Sequence, residues 1–318
     1  MQITNIAFLM TDKCNAACNM CCFSCSPAGK NKLDTEMVKD YIRQAKEMGI
    51  KTVSFSGGEA IMHYDELKEC MAYAKSLDMP STLVSNGFWG KDYEKGYEML
   101  SGLTAAGLNA LSISVDKFHQ EYVPYESVRN AIKIALSLGV MSAVTLMDLK
   151  DGESVYRSIE ELRPEIYNRN LIVYPVFPAG AASANIPDDQ FIRSCGSEYA
   201  VCPFDNSITV LFDGTMMMCC TQFSKDIPIV KLGSFGKTSL KDAYDNFKKN
   251  DYIYVMLKNG LHWFASLAKE LGYHVEDKYT VSCNLCHELF TNEKFMKDSA
   301  PYVKKEAGRL RVKKLLNL

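Results

Sequence analysis

Three cysteines near the start of the chain have the spacing of a metal-binding loop. Cys14, Cys18 and Cys21 fall within eight residues, separated by three and then two residues. Iron–sulfur clusters are usually held by four cysteine thiolates. A cluster held by three would leave one iron open to bind and reduce a ligand, much as catalytic zinc sites keep an open position. The spacing by itself leaves a zinc knuckle as the alternative.

The composition indicates a globular enzyme without disulfides. The 318 residues include 12 cysteines, with 47% hydrophobic and 23% charged residues and a net charge of -2. The cysteines occur in close clusters, and the first ten residues lack the basic segment of an export signal. No apolar run is long enough to span a membrane. We therefore expect metal sites in a cytoplasmic protein, with neither nucleic acid nor membrane as partner.

Apolar β-branched runs alternate with amphipathic segments from Ile3 to Phe177. The predicted strands are Ile3–Met10, Thr52–Ser56, Thr82–Ser85, Ala110–Val115, Met141–Met147 and Leu171–Val176. The predicted helices are Thr35–Met48, Tyr64–Leu77, Tyr93–Ala106, Ser127–Leu138 and Ser154–Leu162. This alternation predicts an α/β fold with a parallel sheet, as an open barrel of six strand–helix units. Active sites of such folds lie at the carboxyl ends of the strands, where the cysteine loop begins.

Short polar motifs follow the next strands at the same end. Gly57, Gly58 and Glu59 follow the second strand, where two glycines allow a tight turn and a close approach to a ligand. Ser85 and Asn86 follow the third strand. The Gly-Gly-Glu motif also suits an ordinary turn.

The fourth predicted strand ends in a polar face. Ser114 and Asp116 lie on one face because side chains alternate along a strand. Strand packing is the alternative for Ser114, and helix capping is the alternative for Asp116.

Together these motifs resemble the radical S-adenosylmethionine (SAM) enzymes. The resemblance implies that Cys14, Cys18 and Cys21 hold a [4Fe–4S] cluster whose open iron chelates SAM, which is cleaved to a 5′-deoxyadenosyl radical. It also implies a SAM-binding set made of Gly57, Gly58, Glu59, Ser85, Asn86, Ser114 and Asp116. Met20 departs from the family, which usually has an aromatic residue before the third cysteine.

A second set of cysteines indicates a second metal site. Asp213-Gly214 predicts a hairpin that brings Cys202 and Cys219 together, and Cys283 and Cys286 form a CxxC pair. Four thiolates make a closed site for zinc or a [4Fe–4S] cluster, and spacing alone favours zinc.

The small residues at 178–184 suggest a boundary that divides the chain into domains 1–185 and 186–318. The second domain resembles the small α+β auxiliary-cluster (twitch) domain of some radical SAM enzymes. This implies one auxiliary [4Fe–4S] cluster, with Cys195 as an alternative ligand.

A closer resemblance extends over most of the chain. The segments that resemble radical SAM peptide epimerases are Cys14–Pro27, Ser85–Trp89, Cys202-Pro203, Asp213–Cys220, His262–Phe264 and Ser282–Phe290. The resemblance implies conversion of L- to D-residues in a ribosomally made precursor peptide. It assigns Cys220 as the thiol that returns a hydrogen atom to the Cα radical. It also implies an electron donor such as flavodoxin or ferredoxin.

Two other functions fit parts of the pattern. If Cys220 bound the auxiliary cluster, oxidation of the substrate radical to a thioether or dehydrogenated product would be favoured over epimerisation. Cys220 could also simply pack. The third hypothesis is a zinc-binding scaffold with two cysteine sites, for which the motifs at the strand ends would have no use.

Overall fold

A computed structural model describes residues 2–167, 169–204, 206–219 and 225–316. These residues divide into two compact units, and the first contains residues up to Ile192 together with Ser207–Gly214. The second contains Arg193–Asn206 and the chain from Thr215 onward. The strands are β1 Asn5–Leu9, β2 Thr52–Ser56, β3 Ser81–Ser85, β4 Leu108–Ser114, β5 Met141–Asp148, β6 Leu171–Pro175, β7 Cys195–Gly196, β8 Ser207–Val210, β9 Thr215–Met217, β10 Lys231–Ser234 and β11 Lys278–Tyr279. The α-helices are α1 Thr35–Glu47, α2 Tyr64–Ser76, α3 Tyr93–Ala106, α4 Tyr125–Ser137, α5 Glu153–Ile166, α6 Ala181–Asn185, α7 Leu240–Lys249, α8 Asp251–Asn259, α9 Leu261–Glu270, α10 Ser282–Phe290 and α11 Glu293–Leu315.

Parallel strands alternating with helices form the first unit, which confirms the predicted α/β class. The strand order is β8-β1-β2-β3-β4-β5-β6, and each neighbouring pair is parallel. The carboxyl ends of these strands therefore lie along one edge, where the sequence motifs follow them.

The six predicted strands and five predicted helices of this region are present with ends shifted by a few residues. Helix α1 shows why the hydrophobic pattern predicts a helix, because its buried residues are spaced to lie on one helical face. They are Val38, Tyr41, Ile42 and Ala45. Asp34 caps this helix by accepting a hydrogen bond from the backbone N–H of Met37.

The strand β8 joins the first unit although it lies beyond the predicted boundary after residue 185. All four of its residues, Ser207–Val210, are buried, and it pairs with β1 in parallel. The side-chain amide of Asn5 donates a 2.8 Å hydrogen bond to Ser207 Oγ. The compact units therefore divide after Ile192, with β8 returning to the first unit.

The second unit is built mainly from helices α7–α11 around an aromatic core. Phe264 packs edge-to-face on Phe290, with ring centroids 4.9 Å apart, and both side chains are fully buried. The antiparallel pairs β9–β10 and β7–β11 complete this unit.

A glycine divides one helical region of the second unit. Helices α8 and α9 meet at Gly260. Gly260 has φ +81°, a conformation that breaks the helix and that glycine adopts without steric cost. The backbone N–H of His262 then bonds the carbonyl of Ala200 at 2.8 Å instead of continuing the first helix.

No helix in the described ranges is both long enough and apolar enough to cross a membrane.

Candidate functional site

The cysteine loop is closed at its base by backbone hydrogen bonds. The N–H of Cys14 donates to the carbonyl of Ser26 at 3.0 Å, and the N–H of Ser26 donates to the carbonyl of Asp12 at 3.2 Å. Farther from the loop, the N–H of Leu33 bonds the carbonyl of Met10 at 2.9 Å. These bonds join the two ends of the loop, which directly follows β1.

The thiols in this loop differ in acidity. Burial raises the pKa of Cys14 to about 11. It also raises the pKa of Cys18, with a further increase from the nearby charge of Asp116. A hydrogen bond from the Cys25 side chain lowers the pKa of Cys21 to about 6, and the Cys25 N–H also approaches Cys21 Sγ at 3.4 Å. Binding a metal cluster here must therefore displace protons from Cys14 and Cys18.

A cavity of about 230 Å³ brings the loop together with the strand-end motifs. Of the predicted site residues, those that line it are Cys14, Cys18, Cys21, Gly57, Gly58, Ser85, Asn86 and Ser114. Among the described residues, no three His, Cys, Asp or Glu side chains are grouped so that they could hold a metal ion. Thiolates of a [4Fe–4S] cubane bind separate irons and surround the cluster, so they do not converge on one point. The all-thiol donor set suits iron–sulfur chemistry.

The two glycines after β2 are fixed by the backbone beneath the cysteine loop. The N–H of Gly58 donates to the carbonyl of Thr11 at 2.6 Å, and a Cβ on Gly58 would collide with the carbonyl of Lys13. Gly57 has φ +136°, and its Cβ would lie 2.6 Å from the carbonyl oxygen of Thr11. These glycines therefore hold the base of the cysteine loop against the end of β2.

Glu59 lies behind the cavity wall, and it is not among the lining residues. Its side chain is buried, with Oε2 accepting from Ser85 Oγ at 3.1 Å and from the Asn86 N–H at 2.9 Å. Burial raises the pKa of Glu59 to about 7, against the opposing effect of these hydrogen bonds. In this arrangement, Glu59 positions the motif after β3. The membership of Glu59 in the SAM-binding set stays a prediction.

The motif after β3 forms a connected hydrogen-bonded turn. Ser85 Oγ accepts from the indole N–H of Trp89 at 3.0 Å, and Gly87 has φ +77°. The side-chain amide of Asn86 donates to Asn15 Oδ1 at 2.9 Å, and its nitrogen lies 3.9 Å from Cys14 Sγ. Asn86 thus links the third strand end to the cysteine loop.

Asp116 is also placed behind the cavity. Its Oδ1 accepts from the N–H groups of Phe118 and His119, and its Oδ2 lies 2.9 Å from His119 Nδ1. His119, unlike Asp116, lines the cavity. Burial lowers the pKa of His119, but the Asp116 carboxylate, with smaller effects from Cys21 and Glu59, outweighs burial, so the pKa lies above its ordinary value.

Sequence analysis did not identify His119 as a site residue. A histidine three residues after an aspartate at a strand end was the available signal. The neighbouring Ser114 lines the cavity, with its Oγ 3.4 Å from Thr145 Oγ1.

The run of small residues at 178–184 has a packing role that the sequence did not reveal. Gly180 has φ +58°, and a Cβ there would collide with the carbonyl of Cys22. The N–H of Ala181 donates to the carbonyl of Cys21 at 3.0 Å. Gly180 and Ala181 therefore support the back of the cysteine loop, and position 180 has no space for a side chain.

The cysteines predicted to form the second metal site lie near one another in the second unit. Burial raises the pKa of Cys286, and the charges of Cys219, Cys283 and Cys202 raise it further. Cys283 and Cys286 lie in the first turns of α10. Cys195 lies instead in β7, paired with Tyr279 of β11, and burial alone raises its pKa. Cys220 falls outside the described residues.

Comparisons with known proteins identify the first unit. A model of the radical SAM superfamily matches residues 8–163. These residues are a radical SAM domain. Such a domain implies a [4Fe–4S] cluster and SAM. The structure of native anSMEcpe with bound AdoMet and Cp18Cys peptide superimposes with a TM-score of 0.57 at 12% identity, covering 96% of this chain and 99% of that one. This likeness confirms the radical SAM fold.

Two curated relatives extend the comparison. "Putative peptide biosynthesis protein YydG" of Bacillus subtilis is 25% identical over 313 residues, which cover 96% of this chain and 98% of YydG. "PqqA peptide cyclase" of Xanthomonas oryzae is 36% identical over 107 residues, which cover 33% of this chain and 27% of the cyclase. The similarity to YydG thus reaches beyond the radical SAM domain, whereas the similarity to the cyclase covers a third of the chain.

The contact between Gly58 and the cysteine loop yields a direct test. Gly58→Ala should cost about 1–3 kcal/mol of unfolding free energy, because the added Cβ must displace backbone. Iron retained after anaerobic reconstitution should fall, since the loop base would shift. The matched control is Gly308→Ala in α11, where a Cβ meets nothing within 4 Å and should stabilise slightly. Wild-type iron content and stability in Gly58→Ala would contradict this account.

Burial of Glu59 predicts a pH dependence of stability. A carboxyl group whose folded pKa is raised from 4.5 to about 7 loses stability as pH rises, because the unfolded chain ionises first. Between pH 5.5 and pH 8, wild-type protein without clusters should lose about 2 kcal/mol relative to Glu59→Gln. Urea unfolding of both proteins under anaerobic conditions measures this difference. A constant difference across that pH range would show that Glu59 does not titrate as described.

Proposed function

We propose that this protein is a radical SAM peptide epimerase, which converts L-residues to D-residues in a ribosomally made precursor peptide. The observation that carries the radical chemistry is the shared cavity of Cys14, Cys18 and Cys21 with the motifs after β2, β3 and β4. A peptide substrate is supported by the similarity to YydG along almost the whole of both chains.

Cys14, Cys18 and Cys21 would hold the SAM-binding cluster. Gly57, Gly58, Ser85, Asn86 and Ser114 would contact SAM, because they line the same cavity. When bound, the cluster and SAM supply a carbon-centred radical that can remove a hydrogen atom from a peptide Cα.

The carboxylates Glu59 and Asp116 would act indirectly in this arrangement. Glu59 orients Ser85 and Asn86, and Asp116 orients His119. They would position residues that line the cavity, whereas the family resemblance places both carboxylates in the SAM-binding set itself.

Inversion requires that hydrogen return from the face opposite to its removal. In the proposed reaction, Cys220 breaks its S–H bond and a new C–H bond forms at the planar Cα radical, which leaves a sulfur radical. One electron and one proton then restore the thiol, so the peptide is isomerised without net oxidation. This assignment rests on the resemblance of the Cys219-Cys220 pair to that of the peptide epimerases.

The auxiliary site would supply the electron. Cys202, Cys219, Cys283 and Cys286 would hold a second [4Fe–4S] cluster, reduced by a carrier such as flavodoxin or ferredoxin. Their mutual electrostatic interaction in the second unit supports a shared site. The catalytic cycle is complete only when the sulfur radical on Cys220 is reduced, so an electron source near this thiol is required.

An oxidative reaction is the second candidate. It is favoured by the 36% identity to PqqA peptide cyclase over 107 residues. In that reaction, the substrate would lose hydrogen overall, and Cys220 would serve as a cluster ligand or packing residue. The radical SAM domain disfavours the zinc-scaffold hypothesis.

Turnover in deuterated water separates the two candidate reactions. Wild-type protein, incubated anaerobically with the neighbouring precursor peptide, should add about one deuterium per inverted residue, because the donor thiol exchanges with solvent. Cys220→Ala should still cleave SAM but should yield no D-residue on hydrolysis. Cys195→Ala, a matched change in the second unit, should behave as wild type. A product two hydrogens lighter, without deuterium, would refute epimerisation in favour of oxidation.

Iron content tests the auxiliary site. Reconstituted wild-type protein should bind about eight irons, and the double variant Cys283→Ala/Cys286→Ala should bind about four. Cys195→Ala should keep about eight if Cys195 is not a ligand. Loss of about four irons in Cys195→Ala would instead make Cys195 a ligand. About four irons with one zinc in wild type would replace the auxiliary cluster by a zinc site.

A further inference from the structure

The strand β6 ends the parallel sheet of the first unit with an apolar, accessible segment. Within the described residues, its neighbour is β5 on one side only. Its sequence is LIVYP, and none of its five residues is buried; Val173 is 46% exposed and Tyr174 is 45% exposed. Proteins usually protect edge strands with charges or coverage, because an open edge binds other strands. An accessible apolar edge therefore indicates a partner.

The hydrogen bonds to β5 identify which backbone groups of β6 are left over. The carbonyl of Asn170 accepts from the N–H of Val144, and the N–H of Val176 donates to the carbonyl of Asp148. Successive residues of a strand direct their backbone groups to opposite sides, so even-numbered residues of β6 face β5. The N–H and C=O of Leu171 and Val173 consequently face the open edge.

The open edge has a defined end. Pro175 falls in the outward-facing series but has no N–H, so it offers only its carbonyl. The available ladder is therefore short and ends next to the residues that follow β6.

The edge is continuous with the cavity of the candidate site. In the register of β5 and β6, Thr145 pairs with Ile172 and Met147 pairs with Tyr174. Met147 lines the cavity, so Tyr174 lies one strand farther out in the same row of the sheet. Phe177, two residues beyond the end of β6, also lines the cavity. A chain added beside β6 would run about 4.8 Å from it, towards the cavity mouth.

We propose that the precursor peptide docks as an added strand along the open edge of β6, held by the backbone groups of Leu171 and Val173. The apolar side chains of the strand favour an extended, apolar segment of the peptide. This mode of recognition takes affinity from main-chain bonds and leaves side-chain choice to neighbouring surfaces. This inference rests on the proposed function, because that function identifies the peptide that would occupy the edge of β6.

Added-strand docking would let one site act on more than one residue of a peptide. Main-chain hydrogen bonds do not depend on side-chain identity, so a peptide can shift by two residues and present the same face again. Each such shift would bring the second-next Cα atom to the cavity without a dedicated pocket for its side chain.

The test compares Val173→Pro with Val173→Ala in the reconstituted protein. Proline removes the outward N–H and places its ring on the open edge, while leaving the even-numbered bonds to β5 in place. Alanine removes most of the side chain but keeps the N–H. Fluorescence anisotropy with a fluorescein-labelled synthetic peptide of extended, apolar sequence should give a Kd about tenfold higher for Val173→Pro and within about twofold of wild type for Val173→Ala.

Folding and oligomeric state are checked alongside binding. Both variants should retain SAM binding by equilibrium dialysis, since Val173 is not among the cavity residues. Hydrogen exchange with residue resolution should show the Val173 amide protected by the peptide in wild-type protein. A Val173→Pro variant that binds peptide as tightly as wild type, or a Val173 amide that gains no protection, would overturn the proposal.

The remaining outcomes distinguish failure of edge docking from failure of the epimerase assignment. If Val173→Pro lowers peptide affinity but wild-type protein inverts no residue, edge docking stands and the epimerase assignment fails. If wild type inverts residues and Val173→Pro binds and inverts equally well, edge docking alone fails. A Val173→Pro variant that is monomeric where wild type is dimeric, with unchanged peptide affinity, would assign the edge to a second copy of this chain and overturn the proposal.

Discussion

The close approach of two backbones is the constraint on which the candidate site depends. The chain at 11–13, beneath the cysteine loop, lies against Gly57 and Gly58 with no space for a side chain. On the other side, Gly180 lies equally close to the carbonyl of Cys22. The loop is therefore clamped between the ends of two strand–helix units. The sheet therefore fixes the positions of the thiols, which would vary in a loop of eight residues without these contacts.

Buried charge is the second organising element of the site. Glu59 and Asp116 are both buried. Glu59 accepts from the backbone N–H of Asn86 in the motif after β3, and Asp116 accepts from the backbone N–H groups of Phe118 and His119 in the turn that follows it. Buried carboxylates without such partners would be costly. Two carboxyl groups outside the cavity lining thus hold polar residues that line it: Glu59 holds Ser85, and Asp116 holds His119. His119 Nδ1 lies 2.9 Å from Asp116 Oδ2, and this carboxylate raises the pKa of His119.

Local patterns were sufficient to predict the strands, the helices and the edge of the sheet that holds the site. Helices such as α1 have a single buried face and a capping residue, both of which are encoded in adjacent residues. Three features depended on long-range packing and could not be read in this way. Gly180 has no space for a side chain because it contacts the carbonyl of Cys22. The strand β8 pairs with β1, which lies some two hundred residues earlier in the chain. The Glu59 side chain bonds Ser85 behind the cavity wall instead of reaching the cavity. In each case, the deciding partner is distant in sequence.

The pairing of β1 with β8 also bears on how the chain is made. The strand β1 acquires its second neighbour, β8, only after Val210 has been synthesised. Until then, β1 has an unpaired edge, and contacts of such sequence separation form slowly. The cysteine loop follows β1 directly, so the strand from which it extends gains its second partner from a segment made much later. A nascent chain stalled before β8 would therefore present its thiols on an incomplete sheet.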